Sequence, residues 1–288
     1  MTWLAAGEAT PKGDWVGLVP LLSRWVGGTE LKHLPQLRIV ANVAVGYDNV
    51  DVVAAEMRKV LVTNTPDVLT EATADLTWAL ILACARRLVE GVDLVRGGRW
   101  TGWQPEQLLG LELRGKTLGI FGAGRIGQAV ARRAAPFGMR VHYASRTAQP
   151  EFERATGAMR VEQRRLFGES DIVSLHAPST PDTRGIINSE TLSRMRHGAI
   201  LINTSRGDLV REEALAIALE EGRLGAAGLD VYRDEPAIHP RLLAAPRTVL
   251  LPHIGSATEE TRRRMAAIAV ANLQAVLRGA PPLTPVYG

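Results

Sequence analysis

The stretch Thr117-Leu-Gly-Ile-Phe-Gly-Ala-Gly-Arg-Ile-Gly127 decides the fold class of this chain. Its first five residues form an apolar run with the length and composition of a buried strand. The next six have the spacing Gly-x-Gly-x-x-Gly, and Ile126, Val130 and Ala134 then recur at helical intervals up to Gly138, which fits a helix end. A glycine-rich turn between a strand and a helix indicates the phosphate-binding part of a dinucleotide-binding βαβ unit.

The three glycines of this turn have different expected roles. Gly122 permits the tight turn, Gly124 lets a pyrophosphate approach the backbone, and Gly127 lets the helix pack closely on the strand. The N-terminus of the helix then faces the phosphates. A turn of purely structural use is the alternative interpretation, but the position between a strand and a helix favours a cofactor site.

Apolar runs and helical segments alternate regularly after this unit. We expect six parallel strands in a doubly wound Rossmann sheet, most simply in the order 3-2-1-4-5-6. The helical segment from Glu212 to Glu221, which stops at Gly222, is typical of the connections. The strands predicted after the first one cover, in chain order, residues 140–145, 171–176, 199–204, 225–230 and 248–253.

Three polar residues follow or end the last three predicted strands: Arg206, Glu235 and His253. Neighbouring strands lie about 4.8 Å apart, so these side chains can converge across roughly 10 Å of the sheet edge where parallel sheets bind ligands. A lone histidine after an apolar strand is usually a satisfied structural residue. Beside a cation and a carboxylate, His253 becomes a candidate general acid.

These three residue types suit the reduction of a 2-keto acid. His253 can donate a proton to the carbonyl oxygen as a hydride arrives at the carbon. Glu235 can accept a hydrogen bond from the other ring nitrogen, which fixes the tautomer and favours the imidazolium. Arg206 can pair with the substrate carboxylate and polarise the carbonyl.

The end of the second strand carries the signal for the cofactor type. Enzymes that use NAD usually have an acid there for the ribose 2′-hydroxyl, whereas this chain has Ser145, Arg146 and Thr147. A guanidinium and two hydroxyls would bind a 2′-phosphate that a carboxylate would repel. We therefore expect NADP(H) to be preferred over NAD(H). The alternative is a solvated Arg146 in an enzyme that accepts both cofactors.

The segment before Lys116 has a different plan. Residues 37–42 and 60–63 are predicted strands. Between them, Asp48 is a candidate N-cap with Asp51 at the third helical position, for a helix that runs to about Lys59.

A long apolar helix is predicted from about residue 70 to residue 96. Because it is apolar on most sides around Trp78, we expect it to be buried between domains or subunits. Cys84 lies in this helix and is expected to be a structural thiol. A loop with Trp100 and Trp103 follows.

The composition is that of a globular protein. Of 288 residues, 46% are hydrophobic and 22% charged, and the net charge is +4. The arginines are scattered, which suits a small anionic ligand and not a nucleic acid. A single cysteine excludes an internal disulfide and fits a reducing compartment. The start has no signal-peptide pattern, and the longest continuously apolar helical stretch, between Asp75 and Arg86, is too short for a bilayer. We therefore expect a cytoplasmic protein without a membrane partner.

Several motifs in a fixed order resemble the D-isomer specific 2-hydroxyacid dehydrogenases. The resemblance begins at about Val16, and two of the motifs are most similar to the glyoxylate/hydroxypyruvate reductase branch, namely Ala44-Val-Gly-Tyr-Asp-Asn49 and Ser145-Arg-Thr147. The family motifs are Gly122-Ala-Gly-Arg-Ile-Gly-Gln128, Asn203-Thr-Ser-Arg-Gly207, Gly228-Leu-Asp-Val231 with Glu235-Pro236, and Pro252-His-Ile-Gly-Ser-Ala257.

The resemblance implies a dimeric reductase of small 2-keto acids, with Arg206, Glu235 and His253 as its catalytic residues and no metal. It implies that backbone N–H groups at Val45 and Gly46 bind the substrate carboxylate, where the alternative is an ordinary strand-to-helix turn. It places Asp230 by the nicotinamide, where the alternative is a structural N-cap. Further cofactor contacts implied in this way are Arg125, Ile126, His176, Pro178, Thr204, Ser205 and Gly255.

The resemblance also implies two domains. Residues 69–254 would form the Rossmann domain, and residues 1–68 with 255–288 a smaller, flavodoxin-like substrate domain. The segment Val16-Gly-Leu-Val-Pro20 resembles the second strand of that domain, so we expect it to be truncated at its N-terminus, with strand edges exposed. Either the true start lies upstream, or residues 1–15 fill the gap, or the domain is compromised.

Three other functions remain open from the sequence. One is another D-2-hydroxyacid dehydrogenase, such as a D-glycerate or phosphoglycerate type, against which Arg146 and the lack of a C-terminal regulatory domain argue. The second is a non-catalytic cofactor-sensing protein similar to the C-terminal-binding-protein corepressors, and the third is an inactive product. NADPH oxidation with a panel of 2-keto acids separates these possibilities.

Overall fold

The computed structural model describes residues 8–10 and 12–287, which fall into two compact units. One unit takes in the described residues up to Leu69 and those from Ser256 onward, and the other spans Thr70–Gly255. The domain limits expected from the sequence, 68/69 and 254/255, lie one residue from these divisions.

The first unit contains a three-stranded parallel sheet in the order β1-β2-β3. A small apolar core with Leu31, Val40 and Val62 packs beside it. Its elements up to Leu69 are β1 (Gly17–Leu18), α1 (Gly28–Lys32), β2 (Ile39–Ala41), α2 (Val52–Met57) and β3 (Leu61–Thr63).

The helix start predicted at Asp48 is wrong by three residues. Residues from Tyr47 form a turn in which the Val50 N–H donates to the Tyr47 carbonyl at 2.9 Å. Asp51 is therefore the N-cap, and its carboxylate accepts from the Ala54 N–H at 2.9 Å. Both positions carry aspartate, so the sequence pattern did not distinguish them.

The strand predicted at residues 16–20 is present as β1, and it hydrogen-bonds directly to β2. The three described strands are thus contiguous. One possibility raised by the sequence is that residues 1–15 fill a gap in this domain. Of these, residues 1–7 and 11 lie outside the described residues.

The second unit begins with two helices, α3 (Thr70–Ala85) and α4 (Leu88–Arg96), where one helix was predicted. The chain turns at Arg87, whose φ of 52° is left-handed and whose guanidinium bonds to Glu90. Nothing in an arginine side chain signals such a break. The apolar surface of α3 is buried inside its own unit, where Trp78 stacks on Phe137 with ring centroids 4.4 Å apart.

The Cys84 thiol on α3 is buried, and that burial raises its pKa to about 12. The thiolate is the reactive form of cysteine, so this residue is a structural thiol, as the sequence indicated.

The sheet of the second unit has seven parallel strands in the order β10-β9-β8-β7-β4-β5-β6. This is the doubly wound Rossmann fold expected from the sequence. The strands are β4 (Thr117–Phe121), β5 (Arg140–Ala144), β6 (Met159–Arg160), β7 (Ile172–Leu175), β8 (Ala199–Asn203), β9 (Leu224–Leu229) and β10 (Thr248–Leu250). The helices that connect them are α5 (Arg125–Arg132), α6 (Pro150–Thr156), α7 (Gln163–Glu169), α8 (Ser189–Arg194), α9 (Glu212–Glu220) and α10 (Pro240–Ala244).

The predicted strand number and order need one correction. The strand β6 was missed because it has only two residues and both are exposed, so it leaves no apolar run. With β6 at the outer position beyond β5, the strand predicted third, β7, lies instead directly beside β4. The three strands that precede Arg206, Glu235 and His253 are neighbours, as predicted.

Six of these strands end in a single register row. The last residue of each strand pairs with the last residue of its neighbour. In order across the sheet these residues are Ala144, Phe121, Leu175, Asn203, Leu229 and Leu250. The residues that follow the strands therefore emerge along one line.

The chain then returns to the first unit as α11 (Glu259–Leu277), which is capped by Thr258 and packs against β2. Across the described residues, no helix has the length and apolarity needed to span a bilayer.

Candidate active site

His253 and Glu235 are in direct contact. His253 follows β10, Glu235 lies in the segment after β9, and the His253 Nδ1 to Glu235 Oε2 distance is 2.7 Å. Each side chain is about a third exposed. Because Nδ1 faces the carboxylate, the ring's Nε2 is left to face a ligand.

The Glu235 carboxyl group is held in its charged form. Partial burial alone would raise its pKa, but the hydrogen bonds from His253 and from the Tyr232 N–H, with the nearby charges of His253 and Arg206, lower it overall. An ionised Glu235 accepts a hydrogen bond from His253 and stabilises a positive charge on that ring.

The backbone at His253 is held in an unusual conformation by Asp230. The φ of His253 is 55°, in the left-handed region that few non-glycine residues adopt. The buried Asp230 carboxylate accepts from the N–H groups of Ile254 and Gly255 at 2.7 Å each. Burial raises the pKa of Asp230 despite these two bonds. Asp230 therefore has a structural role, but it caps the turn at His253 and not a helix.

Arg206 lies on a turn that Asn203 organises. The buried Asn203 side chain accepts from the Ser205 N–H at 3.0 Å and donates to the Arg206 carbonyl at 2.8 Å. Arg206 Nη1 donates to the Ser205 carbonyl at 2.7 Å. The role of Asn203 was not predicted from the sequence, because the strand was expected to continue to residue 204, whereas it ends at Asn203.

Gly207 brings the Arg206 turn against the segment that carries Glu235. A Cβ at Gly207 would lie 1.9 Å from the Tyr232 carbonyl carbon and 2.4 Å from the Arg233 nitrogen. The two loops therefore approach too closely for any side chain at this position.

The glycine-rich turn forms an open cradle at the N-terminus of α5. Gly122 has a φ of 98° and lies against the backbone of His176 and Ala177, where a Cβ would come within 2.7 Å. A Cβ at Gly127 would come within 2.2 Å of the Gly122 carbonyl, whereas nothing lies within 4 Å of that position at Gly124. Gly124 is the N-cap and provides no side chain. This open, uncapped helix start fits a dinucleotide pyrophosphate.

The loop after β5 carries the guanidinium group of Arg146 and is contacted by that of Arg160. Ser145 Oγ donates to the Thr147 carbonyl at 2.5 Å, and Arg146 is exposed. Arg160 on β6 donates to the carbonyls of Ser145 and Arg146 at 3.0 Å each. Sequence reasoning missed Arg160 because it missed β6.

The remaining predicted cofactor residues lie along the same edge. His176 bonds to Ser174 at 2.8 Å, and burial lowers the pKa of His176 to about 3, so the ring is neutral. Arg125 and Ile126 begin α5, and Ser205 lies in the Arg206 turn. The hydroxyl of Thr204 bonds to Thr77, and the carbonyls of Pro178 and Gly255 accept from Thr183 and Thr73.

Val45 and Gly46 belong to the first unit, in the loop after β2. The Val45 carbonyl accepts from Asn64 at 2.8 Å and the Gly46 carbonyl from Asn42 at 2.9 Å. Within the described part of the chain, neither residue's N–H has a hydrogen-bond acceptor. Asn42 and Asn64 were not predicted to matter, because only the tertiary contact reveals them.

Comparison with known proteins gives consistent matches. Residues 78–255 match the family model for the D-isomer specific 2-hydroxyacid dehydrogenase, NAD binding domain. A glyoxylate reductase of Thermococcus litoralis is 50% identical over 269 residues, which cover 92% of this chain and 81% of the relative. A glyoxylate reductase of Aeropyrum pernix is 51% identical over 271 residues, with 92% and 81% covered.

Solved structures are similar along nearly the whole chain. The TT0316 protein from Thermus thermophilus has a TM-score of 0.89 and 50% identity, with 94% of this chain and 86% of that one covered. An NADPH-dependent glyoxylate/hydroxypyruvate reductase from Sinorhizobium meliloti, in complex with NADP and malonate, has a TM-score of 0.86 and 39% identity, with 94% and 83% covered.

The contact at Gly207 generates a stability prediction. Gly207→Ala should force the Arg206 and Tyr232 loops apart and lower the free energy of unfolding by on the order of 2 kcal/mol or more, since overpacking has that cost. Urea unfolding followed by circular dichroism measures it. Gly168→Ala is the matched control, because a Cβ at Gly168 meets only an ordinary contact at 3.8 Å. Equal stability of the two variants would contradict the close approach.

Proposed function

The chain belongs to the D-isomer specific 2-hydroxyacid dehydrogenase family and is an oxidoreductase, and we propose that it reduces glyoxylate and hydroxypyruvate to their 2-hydroxy acids, the D-isomer in the case of hydroxypyruvate, with NADPH as the preferred cofactor. The observation that carries the proposal is the 2.7 Å contact between His253 and Glu235 beside the Arg206 turn. The substrate assignment draws on the glyoxylate reductases to which this chain is similar.

The reaction transfers a hydride and a proton to the two ends of a carbonyl group. A bound reduced nicotinamide supplies the hydride to the carbon. His253 Nε2 donates the proton to the carbonyl oxygen, and Glu235 stabilises the imidazolium that makes the donation. Arg206 pairs with the substrate carboxylate and draws electron density from the carbonyl. Proton and hydride together convert the carbonyl group to the alcohol, which balances the reaction.

Binding of the substrate carboxylate is proposed to involve the loop at Val45 and Gly46 as well. Two observations support this role: both carbonyl groups are held by asparagine amides, and the two N–H groups lack acceptors among the described residues. Backbone N–H groups in such a loop bind anions.

The pyrophosphate is proposed to lie in the cradle of Gly122, Gly124 and Gly127, with the nicotinamide near Asp230. Around the adenosine ribose, Ser145, Arg146 and Thr147 would bind a 2′-phosphate, and the sequence has no acid in that loop to repel it. The similar Sinorhizobium meliloti enzyme is NADPH-dependent.

Substitution of His253 tests the general acid. His253→Gln should lower kcat by on the order of 10²-fold or more, because the glutamine amide cannot protonate the forming alkoxide. Steady-state NADPH oxidation with glyoxylate measures it. His197→Gln, at an exposed histidine after α8, is the control and should keep normal turnover. Near-normal turnover of His253→Gln would remove the acid assignment.

Substitutions of Glu235 and Arg206 should have different effects on the kinetic parameters in the same assay. Glu235→Gln should move the alkaline fall of kcat to lower pH, since the imidazolium loses its stabilising carboxylate. Arg206→Gln should chiefly raise KM for the keto acid.

Charge reversal at Arg146 tests the cofactor preference. Arg146→Asp should raise KM for NADPH by on the order of 10-fold or more and change KM for NADH much less, because only NADPH carries the 2′-phosphate. Arg154→Asp on α6, a nearby exposed arginine, makes the same charge change as a control. A wild-type enzyme that turns over NADH faster at low cofactor concentration would contradict the proposal.

A homodimer and a cytoplasmic location complete the proposal. The α4 helix exposes 41–59% of each of Leu88, Val89, Val92 and Val95, an apolar face that suits a second copy of this chain. The single unpaired thiol fits a reducing compartment.

Charge on that face should weaken the dimer. The double variant Val92→Asp with Val95→Asp should run as a monomer in size-exclusion chromatography with light scattering, while Val53→Asp, at an exposed valine on α2, should not change the mass. A wild-type chain that is monomeric at micromolar concentration rules the dimer out.

A further inference from the structure

The carboxylate of Glu212 binds both ends of the segment that carries Glu235. Glu212 is the first residue of α9. Its Oε1 accepts from the Arg233 N–H at 2.8 Å, and its Oε2 accepts from the His239 N–H at 3.0 Å. The two bonds hold the two ends of the segment 233–239, inside which Glu235 lies.

Between these two bonds the segment has little else to hold it. Residues 233–237 are all exposed, and Ile238 is the residue that packs, half-buried, against the core. Inside the segment the Ala237 N–H donates to the Asp234 carbonyl at 2.9 Å, which closes a tight turn. The place of the segment on the protein therefore depends on hydrogen bonds to its ends more than on apolar packing.

The position of the Glu235 carboxylate matters because each of its two oxygens makes a hydrogen bond. Oε1 accepts from the Tyr232 N–H at 2.9 Å, and Oε2 lies 2.7 Å from His253 Nδ1. The charged groups that act on this carboxylate are His253 and Arg206, while Glu235 in turn acts on Asp230. A shift of the segment would lengthen the bond to His253 first, since that bond reaches across to another strand end.

We propose that Glu212 is a positioning residue for the reduction: it fixes segment 233–239 so that Glu235 stays in hydrogen-bond contact with His253. The inference rests on the proposed function of Glu235. A carboxylate that accepts two backbone N–H bonds forms charge-assisted bonds in a fixed geometry, which suits such a role. Glu212 also follows Arg206 on the same stretch of chain, so it joins the Arg206 side of the site to the Glu235 side.

A simpler role for Glu212 would be to place a negative charge at the N-terminus of α9. Glu213 shares that role, because it lies in the same first turn. The Glu213 side chain is exposed, and the charged group on which it acts is Arg241 of α10, which lies outside segment 233–239. Glu213→Gln therefore removes the same charge from the same turn without touching the segment, and it is the matched control.

The experiment compares Glu212→Gln, Glu213→Gln, Glu235→Gln and the double variant of Glu212 and Glu235. Glutamine keeps the shape of the side chain, but its NH2 group would face one backbone N–H, so one of the two bonds is lost. Glu212→Gln should lower kcat on the order of 10-fold, with KM for glyoxylate within about twofold, because misplacement of a catalytic group affects the chemical step. The alkaline fall in kcat of Glu212→Gln should move toward lower pH, as in Glu235→Gln.

The double variant tests whether the two residues act through one contact. Its kcat should be less than about twofold below that of Glu235→Gln alone, since the contact is already lost in the single variant.

A second measurement needs no turnover. The His253 ring titration, followed by NMR, should shift its midpoint to lower pH in Glu212→Gln and in Glu235→Gln, and should stay at the wild-type value in Glu213→Gln. Wild-type protein without keto acid reduction would count against the proposed function, while the ring titration would still decide the role of Glu212. The inference is overturned if Glu212→Gln keeps the wild-type ring titration and kcat, or if its loss is undiminished in the Glu235→Gln background.

Discussion

Parallel strand pairing in one register is the constraint on which the site depends. Ala144, Phe121, Leu175, Asn203, Leu229 and Leu250 end their strands in a single row across the sheet. Each following segment leaves the sheet at the same edge, so residues far apart in sequence become neighbours in space. The His253–Glu235 contact follows β10 and β9 at one end of this row, and the glycine cradle follows β4, one strand from the other end. Hydrogen bonds between strand backbones therefore determine the reaction geometry before any side chain contributes.

The loops beyond that edge are irregular, and polar side chains hold them. Asn203 organises the Arg206 turn, and Asp230 holds the left-handed turn at His253. Both are buried at or just after the end of a strand. A buried carboxylate or amide with satisfied bonds fixes an orientation more tightly than apolar contact does, because its hydrogen bonds have a preferred direction. The same sheet that collects the reactive groups thus also supplies the groups that orient them.

Sequence reasoning succeeded where apolar periodicity was strong and failed where local chemistry was ambiguous. The runs that end near Phe121, Asn203 and Leu229 are continuous and buried, so both the strands and the edge could be predicted. The strand β6 has two exposed residues and gives no such signal, and its omission misplaced β7 in the sheet order. Partners such as Asn64 and Glu212 are recognisable only when two distant segments are seen together, because their residue types occur equally on solvated surfaces.

The chain leaves the first unit at Leu69 and returns to it at Ser256, so the Rossmann unit is an insertion within the other. This order has a consequence for biosynthesis. On the ribosome, β2 emerges long before α11, whose Ala269 and Val276 cover Ile39 and Ala41. At usual elongation rates the interval is roughly 10 to 40 s. The inserted unit can complete its own core during that time. The apolar face of β2 in the first unit stays uncovered until α11 is synthesised. Nascent chains stalled between β10 and α11 would therefore be natural clients for chaperones.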